Sequence, residues 1–279
     1  MASTDNRIDP QAAWRYAKEL PADAKGLEKA WKLLETYSDI PSDQVAAHIT
    51  AVAYAVFPYP CLSRWRFLDL YLAVRPEYPD ILKRLLSGDR LLDAGCCFGQ
   101  VLRQLIYDGA PPESVAGTDL RPEFIELGYE LFQDRSALPA STFVTGDIFA
   151  ASSPDGNDSL ARLDGRFGIL HTASFFHLFD WDDQVRIGER IVRFFRPDVR
   201  EPLVLGRQVG NRHAQAIENM SRTGEIYRYN PASMQRLWDE IGARTGTRWS
   251  VAATMVDPND DSEEEFKRIL IQFAVTKAA

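Results

Sequence analysis

The residues best suited to chemistry in this sequence gather around Leu91-Leu92-Asp93-Ala94-Gly95-Cys96-Cys97-Phe98-Gly99-Gln100, which runs on into apolar positions Val101, Leu102, Leu105 and Ile106. A short apolar run closed by an acid and two glycines, followed by apolar residues at helical spacing, predicts a buried parallel strand turning sharply into a helix. Glycine at 95 and 99 lets the backbone pass close under a flat ligand, and free amides at the helix start face a carboxylate or phosphate. The next strand-like segment, Ser114 to Thr118, ends in Asp119. An acid at that place can accept hydrogen bonds from both hydroxyls of an adenosine ribose.

Two nucleotide readings of the turn fail on residue type. A phosphate-gripping loop ends in Gly-Lys-Ser/Thr, whereas Gly99 is followed by Gln100 and Val101. A dinucleotide fingerprint has a middle glycine where this chain has Cys97. The series Asp93-x-Gly95-x-x-x-Gly99, Asp119 and Gly146-Asp147-Ile148 instead resembles the cofactor-binding series of class I S-adenosylmethionine-dependent methyltransferases. Within that class, four strings resemble fungal secondary-metabolite methyltransferases of meroterpenoid and related pathways. They are Gly95 to Gln100, Asp108-Gly109-Ala110-Pro111, Ser174-Phe175-Phe176-His177-Leu178-Phe179-x-Trp181-Asp182, and Gly206-Arg207-Gln208-Val209-Gly210. The likeness runs from about Phe67 to about Trp249. It implies a Rossmann-like α/β fold, a seven-stranded mostly parallel sheet with helices on both faces, that binds S-adenosylmethionine and releases S-adenosylhomocysteine. Carried over residue by residue, it implies cofactor contacts from Asp93, Gly95, Cys96, Gly99, Gln100, Asp119, Leu120, Asp147, Ile148 and His171. Asp147 is placed to accept the adenine amino group, and the alternative role for it is capping its own loop.

The elements that must hold these residues can be followed along the chain. Ala12 to about Tyr54 carries apolar residues at three- and four-residue spacing, punctuated by Pro21, Pro41, Pro58 and Pro60. Residues 1–66 therefore read as a helical cap on the substrate side, or as a stabilising appendage, and 67–279 as the core. Tyr54, Phe57, Tyr59 and Trp65 are the cap residues suited to line a hydrophobic site. Arg66 to Leu86 continues as helix broken at Arg75 to Pro79. Strands are expected at Ala116–Asp119, Ser141–Thr145, Phe167–His171 and Pro202–Gly206, with helices at Pro122–Phe132 and Asp182–Phe195. Residues 151–166 read as a surface loop with one short helical turn, and Asn211 to Arg228 as a helix over the pocket. A helix from Pro231 to about Ala243 precedes two strands, Trp249–Val256 and Ile269–Thr276, matching the antiparallel sixth and seventh strands of the fold.

Composition sets the remaining limits. With 279 residues, 45% of them hydrophobic, the chain can bury a full core. No apolar run approaches a membrane span and the N-terminus has no apolar signal core, so the expected location is the cytoplasm. Three cysteines, two adjacent in the glycine turn, form neither a disulfide framework nor a zinc site, and no metal is expected. The formal charge of -8 owes much to Asp257, Asp260, Asp261, Glu263, Glu264 and Glu265, which read as one solvated loop. No basic and aromatic cluster suggests nucleic acid. The oligomeric state stays open.

Methyl transfer from a sulfonium is an in-line displacement, so the protein must align the acceptor, exclude water and, for a weakly acidic acceptor, remove a proton. Ligands of doubly wound sheets bind beyond the carboxyl ends of strands, which places His171 to His177 at the methyl group. Arg207 is expected to orient a carboxylate acceptor, with Gln208 and Phe176 beside the substrate. His177 is the expected base for a phenol, enol or amide acceptor, or else a hydrogen-bonded structural histidine. The cysteines are expected to pack, not to react. The expected function is O-methylation, carboxyl first, of a hydrophobic secondary-metabolite intermediate such as a prenylated polyketide. N-methylation, a cyclase or isomerase that binds the cofactor without transferring its methyl, and a cofactor-sensing subunit are the alternatives.

Overall fold

The computed structural model describes residues 20, 27–54, 65–150, 157–218, 224–256 and 269–278. Tyr59, the acidic segment from Asp257 to Glu265 and most of the expected first cap helix lie outside them, as does the side chain of Tyr54.

The fold grows outward from β1 (Leu91–Ala94), whose four residues are all buried. It pairs in parallel with β2 (Val115–Asp119) on one side and β4 (Ile169–Ala173) on the other. Next to β2 lies β3 (Phe143–Thr145), and next to β4 lies β5 (Leu203–Val209), both parallel to their neighbours. With β8 (Trp249–Val256) and β9 (Leu270–Lys277) the sheet has the order β3-β2-β1-β4-β5-β9-β8. β9 runs antiparallel to both of its neighbours, so the expected terminal pair inserts its second strand against β5. Strand order reverses between β1 and β4, and ligands of open α/β sheets bind beyond the carboxyl ends of strands at such a switch point.

Both faces are covered. On one, α3 (Tyr78–Leu86) and α4 (Gln100–Tyr107) bury Ile81, Leu85, Leu102 and Leu105 against Leu91, Val115 and Ile169. On the other, α6 (Trp181–Phe194) and α7 (Pro231–Thr245) bury Ile187, Ile191, Leu237 and Trp238 against Leu170, Val204 and Phe273. α7 starts where Asn230 and Ser233 close a capping box and ends at Gly246 in the left-handed region, φ +67°. In the N-terminal segment, α1 (Glu28–Thr36) and α2 (Val45–Tyr54) pack on α5 (Pro122–Phe132). Their cluster joins Trp31, Leu34 and Ile49 to Phe98, Leu127 and Phe132, so it reaches the glycine turn through Phe98. Trp65 is 4% exposed within it.

Three expected elements differ. Arg66 to Val74 is not a helix but two 3-10 turns, Arg66–Leu68 and Tyr71–Val74. Phe67, Leu68, Leu70, Tyr71 and Leu72 are all buried, which a one-sided helix cannot achieve. The segment Asn211 to Arg228 contains a hairpin instead of a helix, β6 (Gln215–Glu218) paired with β7 (Glu225–Arg228). β5 also extends past its expected end, because β9 pairs along it from Leu203 to Val209. Arg207 and Gln208 are therefore strand residues on opposite faces, not neighbours at a strand exit. Among the described residues no helix is long and apolar enough to cross a membrane.

Candidate active site

The turn between β1 and α4 has three residues in the left-handed region, Gly95 (φ +76°), Cys97 (φ +53°) and Gly99 (φ +65°). Backbone bonds fix it to β2: Gly95 and Cys96 both donate to the Thr118 carbonyl, at 2.8 and 3.0 Å. Asp119 holds the middle of the turn, accepting from the Cys97 amide at 2.9 Å through one oxygen and from the Arg121 amide at 3.0 Å through the other. Burial pushes the Asp119 carboxyl above the ordinary carboxylate range, and the two amides pull it back. A Cβ on Gly95 would stand 2.8 Å from the Phe175 ring, so backbone and ring meet directly there.

Cys96 turns into the sheet, 1% exposed against Gly117 and Leu102, and burial raises its thiol pKa, which keeps it inert. Gln100 opens α4 half-buried, its Oε1 sealed without a hydrogen-bond partner among the described residues. At the ends of β2 and β3, Leu120 is 52% exposed and Asp147 is exposed, accepting from the Phe149 amide at 2.9 Å. Ile148 beside it is half-buried. These two acids and two aliphatic side chains border the same end of adjacent strands.

On the other side of β1, His171 is fully buried in β4 and pairs in register with Asp93. Its Nδ1 lies 2.7 Å from Asp93 Oδ1 and its Nε2 lies 2.8 Å from the Tyr71 hydroxyl. Both ring nitrogens are thus engaged by protein groups, one of those groups being Asp93, next to last in the strand that leads into the glycine turn. Arg207, on the same face as His171, stacks 4.2 Å over the Tyr71 ring and pairs with Asp69 at 2.6 Å. Phe176 and His177 follow β4 in a short 3-10 turn, 2% and 8% exposed. The hairpin covers this turn: Tyr227 donates to the Phe179 carbonyl at 3.0 Å and Arg228 to the His177 carbonyl at 3.4 Å. Gln208, 1% exposed on the opposite face, has no partner for either carboxamide atom among the described residues, and neither has the Thr172 hydroxyl. Among the described residues no His, Cys, Asp or Glu group could hold a metal ion.

Sequence reasoning missed Asp69 and Tyr71. Tyr71 sits in Leu70-Tyr71-Leu72-Ala73-Val74, which carries no signal beyond packing. It missed too that α5 abuts the turn: a Cβ on Gly128 would come 2.4 Å from the Phe98 carbonyl oxygen. Gly128→Ala is accordingly expected to lose about 1–3 kcal/mol of stability to overpacking. Thermal unfolding would measure this, and an unchanged midpoint would mean that α5 shifts freely.

A reversing seven-stranded sheet with a glycine turn at its switch point, and acids ending the next two strands, defines a class I S-adenosylmethionine-dependent methyltransferase. Comparison with known proteins narrows the class. Residues 15–68 match the model of the meroterpenoid methyltransferase N-terminal domain. The chain is 39% identical over 263 residues to O-methyltransferase phiE of a fungal species, covering 90% of this chain and 85% of that protein. It is 40% identical over 250 residues to methyltransferase adrK of Penicillium roqueforti, covering 88% and 86%. To the asnovolin E/chermesin D methyltransferase nvfJ of Aspergillus novofumigatus it is 36% identical over 254 residues, covering 90% and 89%. The chain belongs to this family of fungal secondary-metabolite methyltransferases.

Proposed function

We propose that this methyltransferase esterifies a carboxyl group of a hydrophobic secondary-metabolite intermediate of the prenylated polyketide kind. The observation that carries the reading is Arg207, a cation held by Asp69 and the Tyr71 ring on the sheet face of Asp93 and His171, at the carboxyl end of β5. A carboxylate acceptor is ionised at neutral pH and needs no base, only a cation to orient it. The naming of phiE as an O-methyltransferase supports oxygen over nitrogen. Phe175, Phe176 and Phe179 form an edge-on aromatic cluster beside this end of the sheet, which suits an apolar acceptor.

The donor supplies a methyl group on a sulfonium, and the residues present fit its adenosine half. Asp119 offers charge-assisted bonds to the ribose hydroxyls, exposed Leu120 an apolar face for the base, and Asp147 an acceptor for its amino group. Incubating the protein with methyl-labelled S-adenosylmethionine and paired carboxylic acids and phenols tests the reaction. Labelled methyl esters are the expected product. Arg207→Gln is expected to cut kcat/KM on the acids about 10- to 100-fold, the loss of one charged hydrogen bond, with a far smaller change in S-adenosylhomocysteine affinity. Label on phenol oxygen or on nitrogen would overturn the carboxyl assignment and return His177 to the role of base. Product rearranged without added mass would mean a cyclase.

A further inference from the structure

We propose that Tyr71 is a positioning residue of the methyl-donor site, acting through His171 to aim the Asp93 carboxylate. The inference rests on the donor site described above and extends it to a residue outside the glycine turn and its two acids.

Of the two neutral tautomers of His171, one satisfies every hydrogen-bonding atom of the chain from Asp93 to Tyr71. Asp93 is 2% exposed and, as a carboxylate, can only accept, so the proton between it and His171 at 2.7 Å belongs to Nδ1. A neutral ring protonated at Nδ1 has a lone pair at Nε2, and Tyr71 supplies the donor at 2.8 Å. Tyr71 is itself 4% exposed, and burial raises its phenol pKa far enough to keep it a donor. The opposite tautomer would set the His171 lone pair against the Asp93 carboxylate and leave the Tyr71 proton without an acceptor. Asp93 Oδ1 is thereby committed, while Oδ2 has no partner among the described residues. That oxygen, at the strand end just before Gly95, is the one left to meet the ammonium group of the donor's methionine half. Tyr71 has a second hold, because its ring carries the Arg207 guanidinium at 4.2 Å. One side chain from the segment that joins the N-terminal helices to the sheet therefore orients a donor-side acid and supports an acceptor-side cation.

The test uses the full chain with histidine labelled at the ring nitrogens, of which there are four residues, His171 being assigned by its loss in His171→Asn. Wild type is expected to show His171 as the single Nδ1-protonated tautomer. Tyr71→Phe keeps the ring under Arg207 and is expected to give mixed tautomers and a three- to tenfold weaker S-adenosylhomocysteine affinity by calorimetry. His171→Asn keeps a donor toward Asp93 and is expected to bind better than His171→Leu. Adding Tyr71→Phe to His171→Asn should cost nothing further, since the hydroxyl acts through the imidazole. An Nε2-protonated wild type would overturn the proposal. So would a Tyr71→Phe protein with unchanged tautomer and affinity, or an equal penalty for that change in the His171→Asn background. Wild type that fails to bind S-adenosylhomocysteine would sink the donor site itself, and the tautomer in the free protein would still decide the role of Tyr71.

Discussion

Asp119→Ala is expected to weaken S-adenosylhomocysteine binding by about 1.5–3 kcal/mol, roughly 10- to 150-fold, measured by calorimetry on the folded variant. Two losses combine in that figure. The carboxylate no longer accepts from the ribose, and the Cys97 amide loses the acceptor that holds the left-handed middle of the turn. Asp119→Asn separates them, because its carboxamide oxygen can keep the Cys97 amide while the charge is gone. It is expected to fall between wild type and alanine. The pH dependence has a definite sign. Burial raises the carboxyl above its ordinary range in the free protein, and a ribose that donates to the carboxylate favours the ionised form. Affinity is therefore expected to fall as pH drops through that raised value, at a higher pH than an ordinary aspartate would require, and to be flat above it. A pH-independent affinity, or an alanine variant that binds like wild type, would remove Asp119 from the site.

Much of this arrangement was legible in the residues. The turn, Asp119 and the helix Pro122–Phe132 follow from local signals: an acid, glycines at a sharp bend, a proline at a first helical position. Those signals are local because the backbone conformations they encode are local. Two classes of feature escaped. The polar segment before Arg228 has short strands whose outward residues imitate a solvated helix face, and only pairing of Ile217 with Ile226 separates the two. The partners of His171 are the other class. Asp93 and Tyr71 lie far from it in sequence, and no periodicity brings a buried acid, an imidazole and a phenol to one point. Arg207 shows the intermediate case. Its place at the carboxyl end of a strand could be read, but its Asp69 partner sits in a segment that reads as helix and folds as 3-10 turns.

Asp134→Ala is expected to produce the largest loss of stability, about 3–5 kcal/mol, because it strands a buried guanidinium. Arg103 is 0% exposed and grips Asp134 with two bonds, Nε at 2.7 Å and Nη2 at 2.8 Å. Tyr129, Phe132 and Phe143 surround it, so no water replaces the lost carboxylate. Tyr37, the residue that closes α1, also loses its acceptor, at 2.8 Å, which loosens the N-terminal helices at the same stroke. Chemical denaturation measures the change, with Arg135→Ala as control, since its pair with Glu126 is exposed and worth under about 1 kcal/mol. The more telling variant replaces both partners, Arg103→Met with Asp134→Leu. Removing the whole pair also removes its desolvation cost, so this protein is expected to recover most of the stability lost by Asp134→Ala. Binding should not recover with it. Arg103 Nη1 donates to the Phe98 carbonyl at 2.7 Å, the bond that pins the glycine turn from below. A double variant that is stable yet binds S-adenosylhomocysteine poorly would show that this buried pair is kept for the shape of the turn. Full recovery of both would assign it to packing alone.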